Sequence, residues 1–392
     1  MPYETGTANG HLDLLDKLRR FAAGYGVAGA PVAGANTGNG TVTAVDTHPA
    51  SVSETITLTC TATAIDGGTF SVIGSVSGAL PSATVGVPYT SAVVDFTVND
   101  GTVDFALGDT FTIAITQGVL SAAGQAWTVD RWSGGNELIL HGPGLAGSDA
   151  IYVGVRAFQD IGVPYFNWGV RGAVGFDAGL TFANQPGVSP ETYVLLDDDP
   201  MTYWFVGSGR RIVGVVKVGA VYQGFYLGLF LPYATPTEYP YPIMVGGTHG
   251  TSTKTPADTY TDHRLFFDPG ANCLWLRGPG GTWYAPRNYG GSTSENNYTD
   301  FVLWPYQSLA TVDRDFTRTI RDNADGSYTL FPIMIAAKTP IKGLLGELDG
   351  CHYCSGFSRA AEDIVQIGGV DHLLVQNVFR TERYHFMALR LE

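Results

Sequence analysis

Polar and apolar residues alternate along several short segments of the chain, and this pattern predicts β-strands. In Glu54–Ala62 a Thr stands at every second position with apolar side chains between, as in a strand with one buried face. Similar runs are Thr69–Ile73, Ala92–Val98, Thr102–Phe105 and Thr110–Thr116. Roughly five to seven strands in so short a stretch predict a small β-sandwich of immunoglobulin-like (Ig-like) architecture.

One segment near the start has the period of a helix instead. Apolar residues in His11–Ala23 recur at intervals of three and four positions, which predicts an amphipathic α-helix. Asn9 is placed to cap its first turn and Gly24 to end it. Because one face is apolar, we expect the helix to pack against its own domain or a neighbouring subunit. Residues 24–40, rich in Gly, Ala and Asn, predict a flexible linker.

After residue 124 the same alternation returns many times, separated by turns rich in Gly, Pro and Asp. The predicted fold class is therefore mainly β: a β-sandwich or β-barrel-like host domain with a short N-terminal helix and an inserted Ig-like β-sandwich. A short helical turn is expected at Phe357–Asp363. The predicted host strands are Ala126–Trp132, Asn136–His141, Ala150–Phe158, Phe166–Phe176, Thr202–Val206, Arg211–Val218, Arg264–Asp268, Asn272–Arg277, Thr282–Tyr284, Ser327–Ala336, Asp363–Ile367, Leu373–Phe379 and Tyr384–Leu391.

A change of composition marks Val27–Ala123 as a separate module. No Lys or Arg occurs between Arg20 and Arg131, and the module is filled with Thr, Val, Ala, Ser and Gly. We therefore divide the chain into residues 1–26, which hold the helix and the first part of the host domain, the insert with its linkers at 27–123, and the main host domain at 124–392. The acidic residues of the insert are Asp46, Glu54, Asp66, Asp95, Asp100, Asp104 and Asp109.

Charge and composition narrow the class of protein. The 392 residues carry a formal net charge of −14, and only 15% are charged. Nucleic-acid binding needs clustered Lys and Arg, so an acidic chain argues against it. The most apolar run, Gly219–Tyr233, is shorter than the roughly 20 residues that a membrane helix needs. The first residues show no basic segment followed by an apolar one, so no signal peptide is expected. These features suggest a protein made in a cytoplasm, without membrane insertion.

The four cysteines include one CxxC motif, Cys351 to Cys354. A structural zinc site would need two further ligands, and no second CxxC is present. Reduced thiols, buried or partly exposed, are therefore the favoured interpretation, and a metal or redox role stays as the alternative. His352, inside the motif, and His385 are expected to be packed or surface histidines rather than ligands.

Acidic turns are the other candidates for chemistry. In the insert, Asp66, Asp100, Asp104 and Asp109 could bind calcium, although Asp is also an ordinary turn residue. Asp197–Asp199 could supply paired carboxylates for glycoside hydrolysis, but adjacent acids on a turn point in different directions, which favours a solvated turn. Asp322–Gly326 lacks calcium-loop spacing. Arg210 with Arg211, and the basic residues at 318–321, are expected to be intersubunit salt-bridge donors or solvated charges. We therefore predict no catalytic residue, no cofactor and no metal.

A set of segments of the host domain carries a resemblance to known proteins. These segments are Tyr3–Ala8, Leu12–Leu18, Trp127, Glu137–Leu140, His141–Gly147, Ile151–Val155, Leu231–Pro236, Tyr239–Pro242, Gly246–Gly247, Gly346–Gly350, Ser355–Phe357, Val375–Thr381 and Ala388–Arg390. They resemble a family of structural tail proteins of long-tailed bacteriophages, found in the baseplate or distal tail. The resemblance implies a virion protein of the tail, made in the bacterial cytoplasm, with copies of itself and other tail proteins as partners. It also implies an exposed insert, of the Ig-like kind that such proteins carry.

Two other functions are weighed against this expectation. The first is a receptor- or carbohydrate-binding module of the tail, with host cell-surface glycan as partner. It would use Trp, Tyr and Asp in the polar loops Thr248–Thr261 and Asn288–Thr299. The second, ranked lowest, is a glycan-degrading enzyme built on Asp197 and Asp199.

Overall fold

The structure is a computed structural model that describes residues 1–49, 51–259, 263–270, 272–285, 301–306, 330–337, 343–380 and 382–391. By internal contacts it divides into two compact units. The first, unit 1, contains Met1–Arg19 and Trp127–Glu392, and the second, unit 2, is Arg20–Ala126. The predicted insert, 27–123, lies inside unit 2, whose limits are seven residues earlier and three residues later.

The first part of the chain holds one long helix and ten strands. In chain order they are β1 (Tyr3–Asn9), α1 (Gly10–Ala23), β2 (Val27–Ala28), β3 (Val32–Ala33), β4 (Thr41–Thr47), β5 (Glu54–Ala64), β6 (Gly67–Gly74), β7 (Gly78–Thr84), β8 (Pro88–Tyr89), β9 (Val94–Asn99), β10 (Thr110–Thr116) and α2 (Val119–Ala122).

The remainder is almost entirely β, with a single 3₁₀ turn at Phe182–Asn184 among the described residues. Its strands are β11 (Thr128–Trp132), β12 (Glu137–Pro143), β13 (Ala150–Asp160), β14 (Tyr165–Ala173), β15 (Thr192–Val194), β16 (Pro200–Ser208), β17 (Arg211–Val218), β18 (Val221–Leu229), β19 (Leu231–Pro232), β20 (Ile243–Gly246), β21 (Leu274–Arg277), β22 (Trp283–Tyr284), β23 (Phe301–Trp304), β24 (Phe331–Ala337), β25 (Gly343–Cys354), β26 (Ile364–Ile367), β27 (Val370–Gln376) and β28 (Phe386–Arg390).

Unit 2 consists of two antiparallel sheets around one core. One sheet has the order β2-β10-β5-β6-β7, with β3 also on β10, and the other has the order β4-β9-β8. Alternate residues of β5 and β9 are buried, as the sequence alternation requires. Both sheets contribute to the same core, which identifies the unit as a sandwich. Its most buried side chains, each no more than 1% exposed, are Ile56, Leu58, Phe70, Val72, Val94, Val98 and Ile113.

Unit 1 contains three antiparallel sheets. Their orders are β1-β16-β17-β18-β20-β21-β22, β11-β12-β13-β14-β15, and β23-β24-β25-β28-β27-β26, with β19 added on β25. The first and third sheets share one large core that includes Val213, Tyr226, Leu348 and Met387. The predicted class is confirmed: the chain is mainly β, with several antiparallel sheets and a short N-terminal helix.

Helix α1 begins immediately after an edge strand that the sequence did not predict. Asn9 ends β1, which pairs with β16 from Tyr3↔Val206 to Asn9↔Pro200. The backbone N–H of Asn9 donates to Asp13 Oδ2 at 2.8 Å, so a first-turn carboxylate caps the helix start. The helix ends at Ala23, and Gly24 follows it in the left-handed conformation, with φ of 69°, as predicted.

Two predicted strands and one predicted linker are wrong. Thr102–Phe105 forms no strand, because its polar groups bond to the side chain of Asn39 instead of to a ladder. Arg264–Asp268 is a turn whose Leu, Phe and Phe are fully buried, so apolar character there reflects core packing. Residues 24–40 contain β2 and β3, which pair with β10. The helical turn expected at Phe357–Asp363 is also absent, since the described residues there form turns only.

Candidate functional site

Two segments that carry the resemblance, Leu231–Pro236 and Gly346–Gly350, meet in the structure although more than a hundred residues separate them. Strand β19 pairs with β25 through Leu231↔Glu347 and Pro232↔Gly346. The contact continues beyond the strand, since the backbone N–H of Tyr233 donates to Leu345 O at 2.9 Å. Tyr233 Oη also donates to Glu347 Oε2 at 2.8 Å. The two segments therefore form one structural feature, which we call the β19–β25 junction.

Both glycines of this junction are required by close contacts. A Cβ at Gly346 would lie 2.8 Å from the ring of Phe230 and closer still to the carbonyl of Leu231. Gly350 has φ of 70°, and a Cβ there would collide with the Arg211 guanidinium. Between them, Leu348 is buried in the large core. The junction is thus built by packing constraints rather than by chemically reactive groups.

Asp349 completes the junction by pairing with Arg211 on β17. Arg211 Nε donates to Asp349 Oδ2 at 2.9 Å, and the arginine side chain is fully buried. The sequence prediction for Arg211, an intersubunit or solvated charge, is therefore wrong. The neighbouring Arg210 is exposed, as predicted. Arg211 is buried because it begins β17, a strand whose residues are buried on both faces, with only Lys217 partly exposed.

The outer side of the junction exposes apolar groups. Leu231 is 45% exposed and Tyr233 is 53% exposed, on a short strand that pairs with β25. Burial raises the pKa of Tyr233, and the hydrogen bond to Glu347 raises it further, to about 12, so the phenol stays protonated as a donor. An exposed Leu and Tyr at a sheet edge provide the kind of surface that protein interfaces use.

In unit 2, three of the four predicted carboxylates come together. Asp66, Asp100 and Asp104 each place an oxygen within 4.8 Å of the others. The backbone N–H of Asp66 donates to Asp104 Oδ1 at 3.1 Å. Oδ1 of Asp100 is buried without a hydrogen-bond partner in the described part of the chain. These oxygens have the chemistry that Ca²⁺ prefers, at positions where acidic groups are also common without an ion.

Asp109 does not join this group. Burial by itself would raise its pKa, but hydrogen bonds from the backbone N–H groups of Thr37, Gly38 and Ala106 outweigh burial and lower it. The carboxylate of Asp109 therefore ties a loop to the start of β10, which is a structural role.

The CxxC motif does not bring its two thiols together. Cys351 and Cys354 stand three positions apart on β25, so their side chains point to opposite faces of the sheet. Cys351 packs in the large core and Cys354 in a separate small cluster. Burial raises the pKa of Cys351 to about 12 and that of Cys354 to about 11. The four cysteines are all buried, in agreement with the favoured interpretation of the sequence.

The acidic turn Asp197–Asp199 contains two exposed residues and one half-buried residue. Asp198 lies beside the buried His11, with 3.5 Å between Oδ1 and Nδ1. Burial lowers the pKa of His11, and the two nearest acids of the turn only partly oppose this. The exposed acids fit a solvated turn. Of the other predicted positions, 288–299, 318–321 and 322–326 lie outside the described residues.

Comparisons with known proteins give no family for this chain. No protein-family model matches, and no curated protein matches. Among solved structures, two crystal forms of Xanthomonas campestris FlgL match with 23% and 21% identity and TM-scores of 0.18 and 0.19. They cover 25% and 26% of this chain, and the chain spans about a third of that protein, 31% and 32%. Matches at these TM-scores carry no argument about fold or function. Among the described residues, no helix has the length and apolar character needed to cross a membrane.

Proposed function

We propose that this chain is a structural protein of a bacteriophage tail, a baseplate or distal-tail component that assembles in several copies. The observation that carries the proposal is the β19–β25 junction. Two of the segments that resemble the tail family build this junction together, and their residues serve strand pairing, close packing and an internal ion pair. Such a motif maintains a shape, which is the task of a scaffold protein.

The same junction offers a surface for assembly. Leu231 and Tyr233 are exposed beside Glu347, and Tyr is enriched at protein interfaces because its ring buries area while its hydroxyl bonds. In a cyclic ring, one surface of each copy contacts a different surface of the next copy. Unit 2, an acidic sandwich with its own core, is suited to lateral contacts or to adhesion at the host surface.

The proposal can be tested by mass spectrometry of purified particles of the phage whose genome encodes this chain. The chain is expected as a virion component, and a cryo-electron microscopy map of the particle should place several copies around the tail axis. Absence of the chain from intact particles, with other tail proteins detected, would contradict the proposal.

A double substitution tests the proposed interface. Leu231→Asp with Tyr233→Ala should lower self-association in sedimentation experiments, while Ile161→Asp, at a turn residue that is 79% exposed, should not. If both variants self-associate as strongly as the original protein does, this surface is not part of the assembly.

A further inference from the structure

Arg277, the last residue of β21, is a half-buried cation without a carboxylate partner among the described residues. Its Nε is buried and has no hydrogen-bond acceptor there. Burial lowers the pKa of Arg277, and the groups that oppose this effect are the phenols of Tyr241 and Tyr239, not an acid. Other arginines of unit 1 are paired: Arg131 with Glu137, Arg156 and Arg171 with Glu191, and Arg211 with Asp349.

Aromatic rings flank the guanidinium. Its central carbon lies 5.1 Å from the ring centroid of Tyr241, within the range of a cation–π contact. Trp283 is the cross-strand partner of Arg277 in the β21–β22 pair, so the two side chains share one face. Trp283 is held in place because its Nε1 donates to Gly187 O at 3.0 Å.

The turn between these two strands leaves the cation accessible. A Cβ at Gly281 would lie 3.0 Å from Nη2 of Arg277, and a Cβ at Gly280 would meet open space. Gly281 therefore keeps a side chain away from the guanidinium, whereas Gly280 does not face it. A half-buried charge that is neither paired nor fully hydrated is costly to maintain, and a ligand anion would satisfy it.

The surroundings favour a sugar acid over an acidic peptide. Tyr152 lies within electrostatic reach of both Tyr241 and Asp130, whose carboxylate also bonds to His141 Nδ1 at 2.7 Å. Aromatic faces pack against the C–H face of a sugar ring, and carboxylates accept hydrogen bonds from its hydroxyls. An acidic peptide could bring the same charges, but its carboxylate side chains have no ring whose C–H face could pack on Tyr241 and Trp283.

We propose that Arg277, Tyr241 and Trp283 form a binding site for the carboxylate of an acidic sugar, such as a uronic acid unit of a polysaccharide. Arg277 donates two parallel N–H bonds to the carboxylate, and the flanking rings hold the sugar ring. This site is separate from the polar loops that the sequence suggested for carbohydrate binding. It does not depend on the proposed assembly role, so the two can fail independently.

Calorimetric titration of the whole chain with trigalacturonic acid and with its methyl ester tests the site. The acid is expected to bind with a dissociation constant of about 1 mM in low salt, as one charge-assisted contact with stacking would give. The ester, which has the same rings without charge, should bind at least about tenfold more weakly. Equal binding of acid and ester, or no binding of the acid, would overturn the proposal.

Variants separate recognition from folding. Arg277→Gln should weaken binding of the acid at least about tenfold, and Arg277→Lys should restore only part of it because Lys lacks the planar fork. Arg210→Gln, at an exposed arginine, is the matched control and should bind normally.

Because Arg277→Gln removes a charge that has no acidic partner among the described residues, the melting temperature of this variant should stay the same or rise. If this variant unfolds, Tyr241→Ala should still weaken binding. Tighter binding of a triglutamate peptide than of the sugar acid would reject the sugar assignment.

Discussion

Arg211 and Asp349 form an ion pair in which the two partners differ in burial. The Arg211 side chain is 0% exposed, the Asp349 side chain is 24% exposed, and 2.9 Å separates Nε from Oδ2. The pair connects β17 of the first sheet of unit 1 with β25 of the third, across the core that the two sheets share. Removing either residue breaks the same bond but leaves a different charge behind.

We expect Asp349→Ala to destabilise unit 1 much more than Arg211→Met. The first leaves a guanidinium buried without its partner, which costs about 3–5 kcal/mol. The second leaves a carboxylate that water can reach and fills the buried space with an apolar side chain, so about 1–2 kcal/mol is expected. Urea unfolding followed by tryptophan fluorescence measures both values. Equal costs, or the reverse order, would show that burial does not govern this pair.

The cysteines should be inert in the folded protein. Burial raises the pKa of Cys351 to about 12 and of Cys354 to about 11, and the thiolate is the reactive form. At pH 8, Ellman's reagent is expected to label fewer than about one thiol per folded chain and all four in urea. Rapid labelling of two thiols without denaturant, or zinc bound after dialysis, would contradict the separation of Cys351 and Cys354 on β25.

The three clustered carboxylates of unit 2 should repel one another at neutral pH. Asp100→Asn removes one charge and keeps the shape, so we expect unit 2 to become more stable by about 0.5–1 kcal/mol in EDTA and low salt. High salt should reduce this gain. Asp95→Asn is the matched control, because Asp95 lies 3.0 Å from His48 and its loss should give no gain. A lower stability of Asp100→Asn in EDTA would contradict repulsion within the cluster.

Local pattern predicted four strands of unit 2, β5, β6, β9 and β10, because one face of each is at least partly solvated. It missed the other five, β2, β3, β4, β7 and β8. In β5 the side chains of Thr55, Thr57 and Thr59 are exposed or partly buried. Those of Ile56 and Leu58 between them are buried, so the sequence pattern and the burial have the same period. The pattern failed at Leu265–Phe267, where an apolar run fills the core from a turn held by Asn377 Oδ1. Burial without alternation does not distinguish a strand from a packed loop.

Contacts between distant parts of the chain were beyond prediction. The bond between Arg211 and Asp349 joins residues 138 positions apart, and the adjacent Arg210 has the same chemistry but faces solvent. The cation at Arg277 carried no sequence signal, because its unusual property, the lack of an acidic partner among the described residues, is a matter of three-dimensional structure. The CxxC motif shows the opposite case. Its two cysteines are close in sequence and suggest a shared site, but strand geometry places the side chains of Cys351 and Cys354 on opposite faces of the sheet.

Acid should weaken the third sheet of unit 1 through His352. Burial lowers the pKa of His352 to about 4, helped by the neighbouring His372, Arg390 and Arg211, while Asp349 acts in the opposite direction. The unfolded chain takes up this proton near the ordinary pKa of 6.5, so stability is lost as the pH falls from about 6.5 to about 4.

His352→Gln should flatten that part of the pH profile, measured by urea unfolding at each pH. His48→Gln in unit 2 is the control. An unchanged slope in His352→Gln would assign the acid sensitivity to another group, such as the buried His372.

Removal of unit 2 should leave a folded unit 1, because the chain enters and leaves the sandwich at adjacent points. A Cβ at Gly24 would lie 2.6 Å from the Cβ of Ser121, and a Cβ at Gly118 would lie 2.5 Å from the carbonyl oxygen of Gly24. A short Gly-Ser linker can therefore replace residues 25–123 without spanning a long distance. We expect the shortened protein to be soluble and to unfold cooperatively with unchanged β-type circular dichroism. The separate unit, residues 20–126, should also fold, since its core is its own. Aggregation of the shortened protein, with the separate unit folded, would mean that unit 1 needs the insert for stability.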